Sequence, residues 1–172
     1  MNILIGMSGC GKSTIEEELI KKGYTRSVSY TTRAKRPGEV DGVNYHFIDK
    51  LEFERKYAAG EIVERSKYNG HLYGIGKEDL HDNIVCSLNL DGLRALKKLD
   101  VDITSFYITV PDKIRIDRLV ERGANREFLE SRIPCDEAHF AGAEELVDYI
   151  VENDELMKVV NYIDQKIQER NS

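Results

Sequence analysis

Three groups of residues in this sequence have the types and spacing to handle phosphate. In "GMSGCGKST", Gly6, Gly11, Lys12 and Ser13 satisfy G-x-x-x-x-G-K-[ST], a pattern a chain of this length meets by chance with a probability on the order of 1%. Glycines there let the backbone curl until successive N–H groups point inward at an anion, and the following helix N-terminus adds partial positive charge. Gly6, Ser8, Gly9, Cys10, Gly11 and Thr14 would then cradle a nucleoside triphosphate. Lys12 would reach its β- and γ-phosphates, and the Ser13 hydroxyl would ligate Mg²⁺. A second group, "SYTTRAKRPGE", crowds Arg33, Lys35 and Arg36 into four positions of a chain whose formal charge is −6. Repulsion that close needs an anion to offset it, and guanidinium forks match phosphate oxygens two at a time. The third is "RLVERGANREFLESR", where Arg118, Arg122 and Arg132 alternate with Glu121, Glu127 and Glu130. An exposed, ion-paired helix face is the plain reading of that stretch taken alone.

The surrounding pattern alternates short apolar runs with amphipathic helices. "NILIG" (2–6) reads as a buried strand entering a helix over Lys12 to Lys22. "NIVCSLNL" (83–90) and "DITSFYITV" (102–110) are continuous apolar runs, as expected of parallel strands covered on both faces, and each precedes a helical pattern. "DYIV" (148–151) reads as a last strand and "DELMKVVNYIDQKIQ" as a closing helix. This β-then-α order predicts an α/β fold with a parallel sheet. Between them "NYHFI" and "EIVERSKY" flank a helix, and Asn69-Gly70 before "HLYG" is a two-residue hairpin signal. Residues 29–76 therefore read as a small, partly antiparallel insertion carrying the cation cluster.

At 172 residues the chain fits one domain able to bury its own core. Its acidic balance argues against a non-specific nucleic-acid or membrane binder. "MNILIGMSG" has neither a basic n-region nor a long apolar h-region, so secretion is not expected. Cys10, Cys86 and Cys135 form no CxxC pair, suggesting neither a disulfide framework nor zinc; a cytoplasmic protein is the default.

Extended over 31–48, the cation stretch reads "TTRAKRPGEVDGVNYHFI" and meets T-[ST]-R-x-x-[KR]-x-x-[DE]-x-x-G-x-x-Y-x-[FY] at every position. It resembles the signature of the guanylate kinases, and "RLVERG" resembles the entrance to that family's mobile lid. The resemblance implies the three-layer P-loop NTPase fold: a parallel core from 1–28, 77–117 and 142–172, a mixed or antiparallel β insertion for the monophosphate at 29–76, and a helical lid at about 118–141. It implies transfer of the γ-phosphoryl of ATP onto GMP or dGMP with Mg²⁺. Arg33, Arg36, Tyr45 and Tyr73 would hold the GMP phosphate. Ser29 and Glu64 would meet the guanine edge, where a carboxylate suits the adjacent N1–H and N2–H₂ donors. Lys12 with the lid arginines Arg118, Arg122 and Arg132 would neutralise the transferring group. Asn153, in "IVEND", would border the adenine or else cap the last helix.

Two positions depart from the family pattern. The strand that usually ends "LDID", followed by two residues and a Gly, here reads "SLNLDGL". Aligned on the acids, Asn89 and Asp91 take the carboxylate positions, making Asp91 a guanine contact and a second candidate for Mg²⁺; this alignment keeps one carboxylate at a strand end. Aligned on Gly92, Ser87 and Asn89 take them instead. In "LYGI", Ile75 stands where the family places a hydroxyl near the guanine, which leaves room for a broader acceptor. Two readings of other classes fit less well. Non-catalytic guanylate-kinase-like binding modules lose the phosphate loop and lid arginines kept here, and no Asn-Lys-x-Asp motif of a GTPase switch is visible.

Overall fold

The structure is a computed structural model and describes residues 1–171. Five strands, β1 (Asn2–Ile5), β2 (Thr25–Arg26), β7 (Ile84–Ser87), β8 (Thr104–Thr109) and β9 (Tyr149–Glu152), form an all-parallel sheet in the order β2-β7-β1-β8-β9. Every residue of β1 is buried because helices cover both faces, and its side chains alternate between them. Ile3 and Ile5 pack with Leu90, Leu93 and Leu96 of α3 (Leu90–Leu96). Leu4 packs with Ile15 and Leu19 of α1 (Lys12–Lys21) and with Val160 and Ile163 of α6 (Leu156–Arg170). The result is the three-layer α/β architecture expected from the sequence.

A second sheet, in the order β4-β3-β6-β5, holds β3 (Tyr30–Thr31), β4 (His46–Phe47), β5 (Ser66–Tyr68) and β6 (His71–Gly74). It is mixed: β3 runs parallel to β4 and antiparallel to β6. Phe53 from α2 (Lys50–Ala58), Ile62 and Leu72 give it a small core of its own. The β5–β6 hairpin turns through Asn69 (φ 49°) and Gly70 (φ 81°), the left-handed pair that Asn-Gly favours. "EIVERSKY" is not one strand: Ile62 bridges to Gly76, and regular pairing resumes only at Ser66, with buried Glu64 between.

Two further helices lie over the strand ends. α4 (Asp112–Glu121) follows β8, and α5 (Arg126–Phe140), capped by Asn125 accepting from the Phe128 amide, follows a turn at Gly123. No helix among the described residues is long and apolar enough to cross a membrane.

Candidate active site

A cavity of about 590 Å³ opens beyond the C-terminal ends of the parallel strands, bounded by the mixed sheet and α5. Ligands of open α/β sheets gather at this edge. On one side is the glycine loop. Gly9 has φ 85°, and a Cβ there would stand 2.6 Å from the Arg115 carbonyl oxygen; Gly11 (φ 99°) ends the loop as the residue before α1. No side chain caps α1, which leaves its first-turn N–H groups for an anion. Gly6, Ser8, Gly9, Gly11, Lys12 and Ser13 all line the cavity. The Lys12 ammonium lies back over the loop, donating to the Gly6 carbonyl at 2.6 Å. Cys10 is 1% exposed and Thr14 lies off the lining, so neither presents its side chain to the cavity. Asn153 does not cap α6, which begins after Glu155. Buried at the end of β9, its side-chain amide donates to the Cys10 carbonyl at 2.8 Å and braces the loop from behind.

The cation cluster forms the opposite wall. Arg33 and Glu39 make a two-pronged pair at 2.8 and 2.9 Å, and the Arg33 guanidinium lies 5.5 Å from the ring centres of Tyr45 and Phe47. Tyr45 meets Tyr73 edge-on at 6.1 Å. Arg33, Arg36, Tyr45, Tyr73 and Ser29 all line the cavity. Arg36 is exposed and forms no ion pair among the described residues; its backbone is held by Glu39, whose carboxylate accepts from the Arg36 amide at 2.7 Å and whose amide donates to the Arg36 carbonyl at 3.1 Å. Glu39 was not singled out in the sequence, although the acidic position of the signature marks it. Its carboxyl sits below its ordinary value because the Arg33 guanidinium and Arg36 amide outweigh the opposing effect of burial. Lys35 is exposed and does not line the cavity.

Glu64 lies one layer behind this wall. It is 2% exposed, and neither carboxylate oxygen has a hydrogen-bond partner. Burial pushes its pKa to about 7; the nearby Ser66 hydroxyl and Ile75 amide oppose the shift without reversing it. A Cβ on Gly92 would stand 3.1 Å from Glu64 Oε1, 3.4 Å from Ser66 Oγ and 3.5 Å from Asn89 Oδ1, so these polar groups converge on one point. Asn89 donates to Ser66 at 3.1 Å and lines the cavity.

Two expected contacts sit elsewhere. Ile75 is fully buried in the main core and presents nothing to the cavity. Asp91 is also displaced. β7 ends at Ser87, Asn89 caps α3 by accepting from the Gly92 amide at 2.8 Å, and by Asp91 the chain is already helical. Its side chain is 47% exposed and pairs with Arg94 at 3.0 Å. Ser87 and Asn89 line the cavity instead, which is the arrangement that aligning on Gly92 gives.

Of the lid arginines, Arg122 lines the cavity without an ion pair among the described residues. Arg132 donates from Nε to Ser8 Oγ at 2.9 Å, pairs with Asp136 at 3.0 Å and lies 4.6 Å over the Tyr68 ring. Arg118 stays off the lining and donates to the Gly9 carbonyl at 3.3 Å. Arg126, 91% exposed and paired with Glu130, keeps the plain reading of a solvated helix face. Sequence reasoning missed Asp136. This fully buried carboxylate accepts from the Ser8 amide at 2.9 Å and from the Tyr68 hydroxyl, besides pairing with Arg132.

Magnesium prefers waters and phosphate oxygens to a cage of protein ligands. The donors here fit it. The exposed Ser13 hydroxyl lines the cavity beside Lys12, and no cluster of three metal-binding side chains occurs among the described residues.

The family model described as guanylate kinase matches residues 1–170. The chain belongs to the guanylate kinase family. It is 35% identical over 173 residues to a guanylate kinase of Aster yellows witches'-broom phytoplasma, with 94% of this chain and 82% of that protein aligned. It is 34% identical over 169 residues to the Sus scrofa guanylate kinase, with 91% and 85% aligned. The fold matches the crystal structure of guanylate kinase from Anaplasma phagocytophilum at a TM-score of 0.79, covering 99% of this chain and 85% of that one, at 24% identity. Family membership and the cavity's two cationic walls thus agree on a kinase that handles nucleotides.

Proposed function

We propose that the protein transfers the γ-phosphoryl group of ATP directly onto GMP or dGMP, giving ADP and the guanosine diphosphate. The observation that carries this reading is that one cavity joins a phosphate loop to a second guanidinium wall, with Glu64 buried and unpaired beyond it. Backbone amides of the loop and Lys12 hold the donor's phosphates. Arg33, Arg36, Tyr45 and Tyr73 hold the acceptor's phosphate and lower its repulsion toward the donor. Glu64, ionised, accepts from guanine N1–H and N2–H₂, and Ser29 and Asn89 complete that wall. The acceptor phosphate oxygen is itself the nucleophile, so the protein supplies position, charge neutralisation and exclusion of water, with no covalent intermediate. Arg122 and Arg132 face the charge that spreads over the transferring group. Arginines in such positions contribute about 10³ to 10⁵ in rate in related transfers. The Ser13 hydroxyl would hold Mg²⁺, which when bound would supply positive charge to neutralise the donor's phosphates.

Residues 29–76 serve as the acceptor-holding insertion and about 118–141 as the lid. The acidic balance speaks against nucleic acid or membrane as partners, and three cysteines with no CxxC pair fit a cytoplasmic setting. The test is ADP release with GMP, dGMP, AMP and dTMP in turn. The proposal expects GMP and dGMP to lead in kcat/KM; ADP release that no monophosphate stimulates would end it.

A further inference from the structure

The face of α1 that packs on the core sheet buries a carboxylate that the transfer scheme above does not use. Glu16 sits on the first turns of α1, one turn past Lys12, yet only 7% of it is exposed. Its Oε2 lies 2.6 Å from the Ser87 hydroxyl at the end of β7, and its Oε1 lies 3.5 Å from Arg26 Nε on β2. Its partner Ser87 shares the cavity lining with Lys12 on the donor's wall and Tyr45 on the acceptor's. Ser87 lines the cavity at the strand end, where the family pattern carries an acid and this chain does not.

A serine hydroxyl has one proton. A carboxylate 2.6 Å away accepts that proton's hydrogen bond, leaving only oxygen lone pairs on the other side. A plain strand-end serine could present a donor or an acceptor to the cavity. Serine tied to Glu16 presents an acceptor backed by negative charge, which is what a strand-end carboxylate would present.

We propose that Glu16 and Ser87 act together as the missing strand-end acid. Ser87 accepts from the water shell of the divalent cation that accompanies the donor nucleotide, and Glu16 is the positioning residue that fixes the hydroxyl. The inference rests on the phosphoryl-transfer reading of the cavity.

Calorimetry of a non-hydrolysable ATP analogue, with Mg²⁺ and with chelator, tests it without turnover. In the wild type Mg²⁺ strengthens binding. Glu16→Gln and Ser87→Ala should each lose about tenfold of that gain, as removal of outer-shell partners of a metal does, while binding in chelator stays unchanged. Ser87→Asp alone should also bind poorly, because two buried carboxylates would then face each other. Glu16→Gln combined with Ser87→Asp should recover the Mg²⁺ gain to within about threefold of wild type, the signature of coupled sites. Thermal unfolding followed alongside separates this from a packing role for Glu16 with Arg26. A Glu16→Gln protein that melts lower but keeps the full Mg²⁺ gain overturns the proposal, and so does a double variant no better than Glu16→Gln. A wild type that binds the analogue identically with and without Mg²⁺ overturns the proposal and the transfer reading together; GMP-dependent ADP release that persists beside an intact Glu16→Gln gain overturns this proposal alone.

Discussion

Glu64 is an acid held where ionisation is costly until a ligand supplies donors. Its pKa of about 7 stands above the ordinary 4.5, so the folded state favours the neutral carboxyl. Stability is then fullest below pH 4.5 and falls as pH rises through 7, by roughly 3 kcal/mol at most. Glu64→Gln removes that cost. At pH 8 its melting temperature should exceed wild type by about 6–12 °C, with the difference vanishing below about pH 4.5. The same change should raise the KM for GMP about 100-fold or more, because a buried recognition hydrogen bond is lost. Equal melting curves at pH 8 would contradict the assignment of an unpaired buried charge. Among the arginines, exposure and pairing separate roles that sequence could not. Arg36→Ala should lower kcat/KM for GMP by about 100-fold, since a charged hydrogen bond to phosphate is worth roughly 1.5–3 kcal/mol. Arg126→Ala, removing one exposed ion pair, should leave steady-state rates unchanged. The signature made Arg33 and Arg36 legible in the sequence, whereas Glu64 lies outside it and came only with the family resemblance. Asp136 and Glu16 belong to no motif, and the contacts that tie them to the cavity, with Ser8 and Ser87, span 128 and 71 positions, so no local pattern marks them.

At the scale of elements, α5 is tied down through Asp136, which reaches the phosphate loop at Ser8 and the mixed sheet at Tyr68. Arg115, 1% exposed, lies 4.0 Å from the same carboxylate. Removing the Asp136 carboxylate leaves the largely buried Arg132 guanidinium without its ion pair and takes one of three acidic neighbours from Arg115, a loss of about 3–5 kcal/mol. Asp136→Ala should therefore lower the melting temperature by about 10 °C and reduce kcat, whereas Asp136→Asn, which keeps an acceptor, should fall between. Thermal melts of the two variants against wild type check this ordering. The long strands of the parallel sheet and the Asn-Gly hairpin were readable because continuous apolar runs and a left-handed turn pair are strong local signals. β2 and β3, two residues each, are too short to show a period, and they exist only because neighbouring strands pair with them. The break in "EIVERSKY" was equally hidden: alternation predicts one strand, but turning Glu64 inward interrupts its pairing. Asp91 was misplaced for a related reason, since the end of β7 and the start of α3 share a two-residue joint.

Over the whole molecule, a chain of net charge −6 concentrates guanidinium groups on the walls of one cavity. In the proposed transfer, two polyanions meet there because each is neutralised before it approaches the other. Because Arg36 and Arg122 are exposed, part of that neutralisation is screened by salt, and the KM for GMP should rise several-fold between about 0.05 and 0.5 M salt. The measurement that bears most directly on the account follows the label from ATP carrying ³²P in its γ-phosphate, incubated with GMP and Mg²⁺. The account predicts that the label appears in GDP, with little free phosphate and no labelled protein. Label released as inorganic phosphate at a rate indifferent to GMP would contradict it.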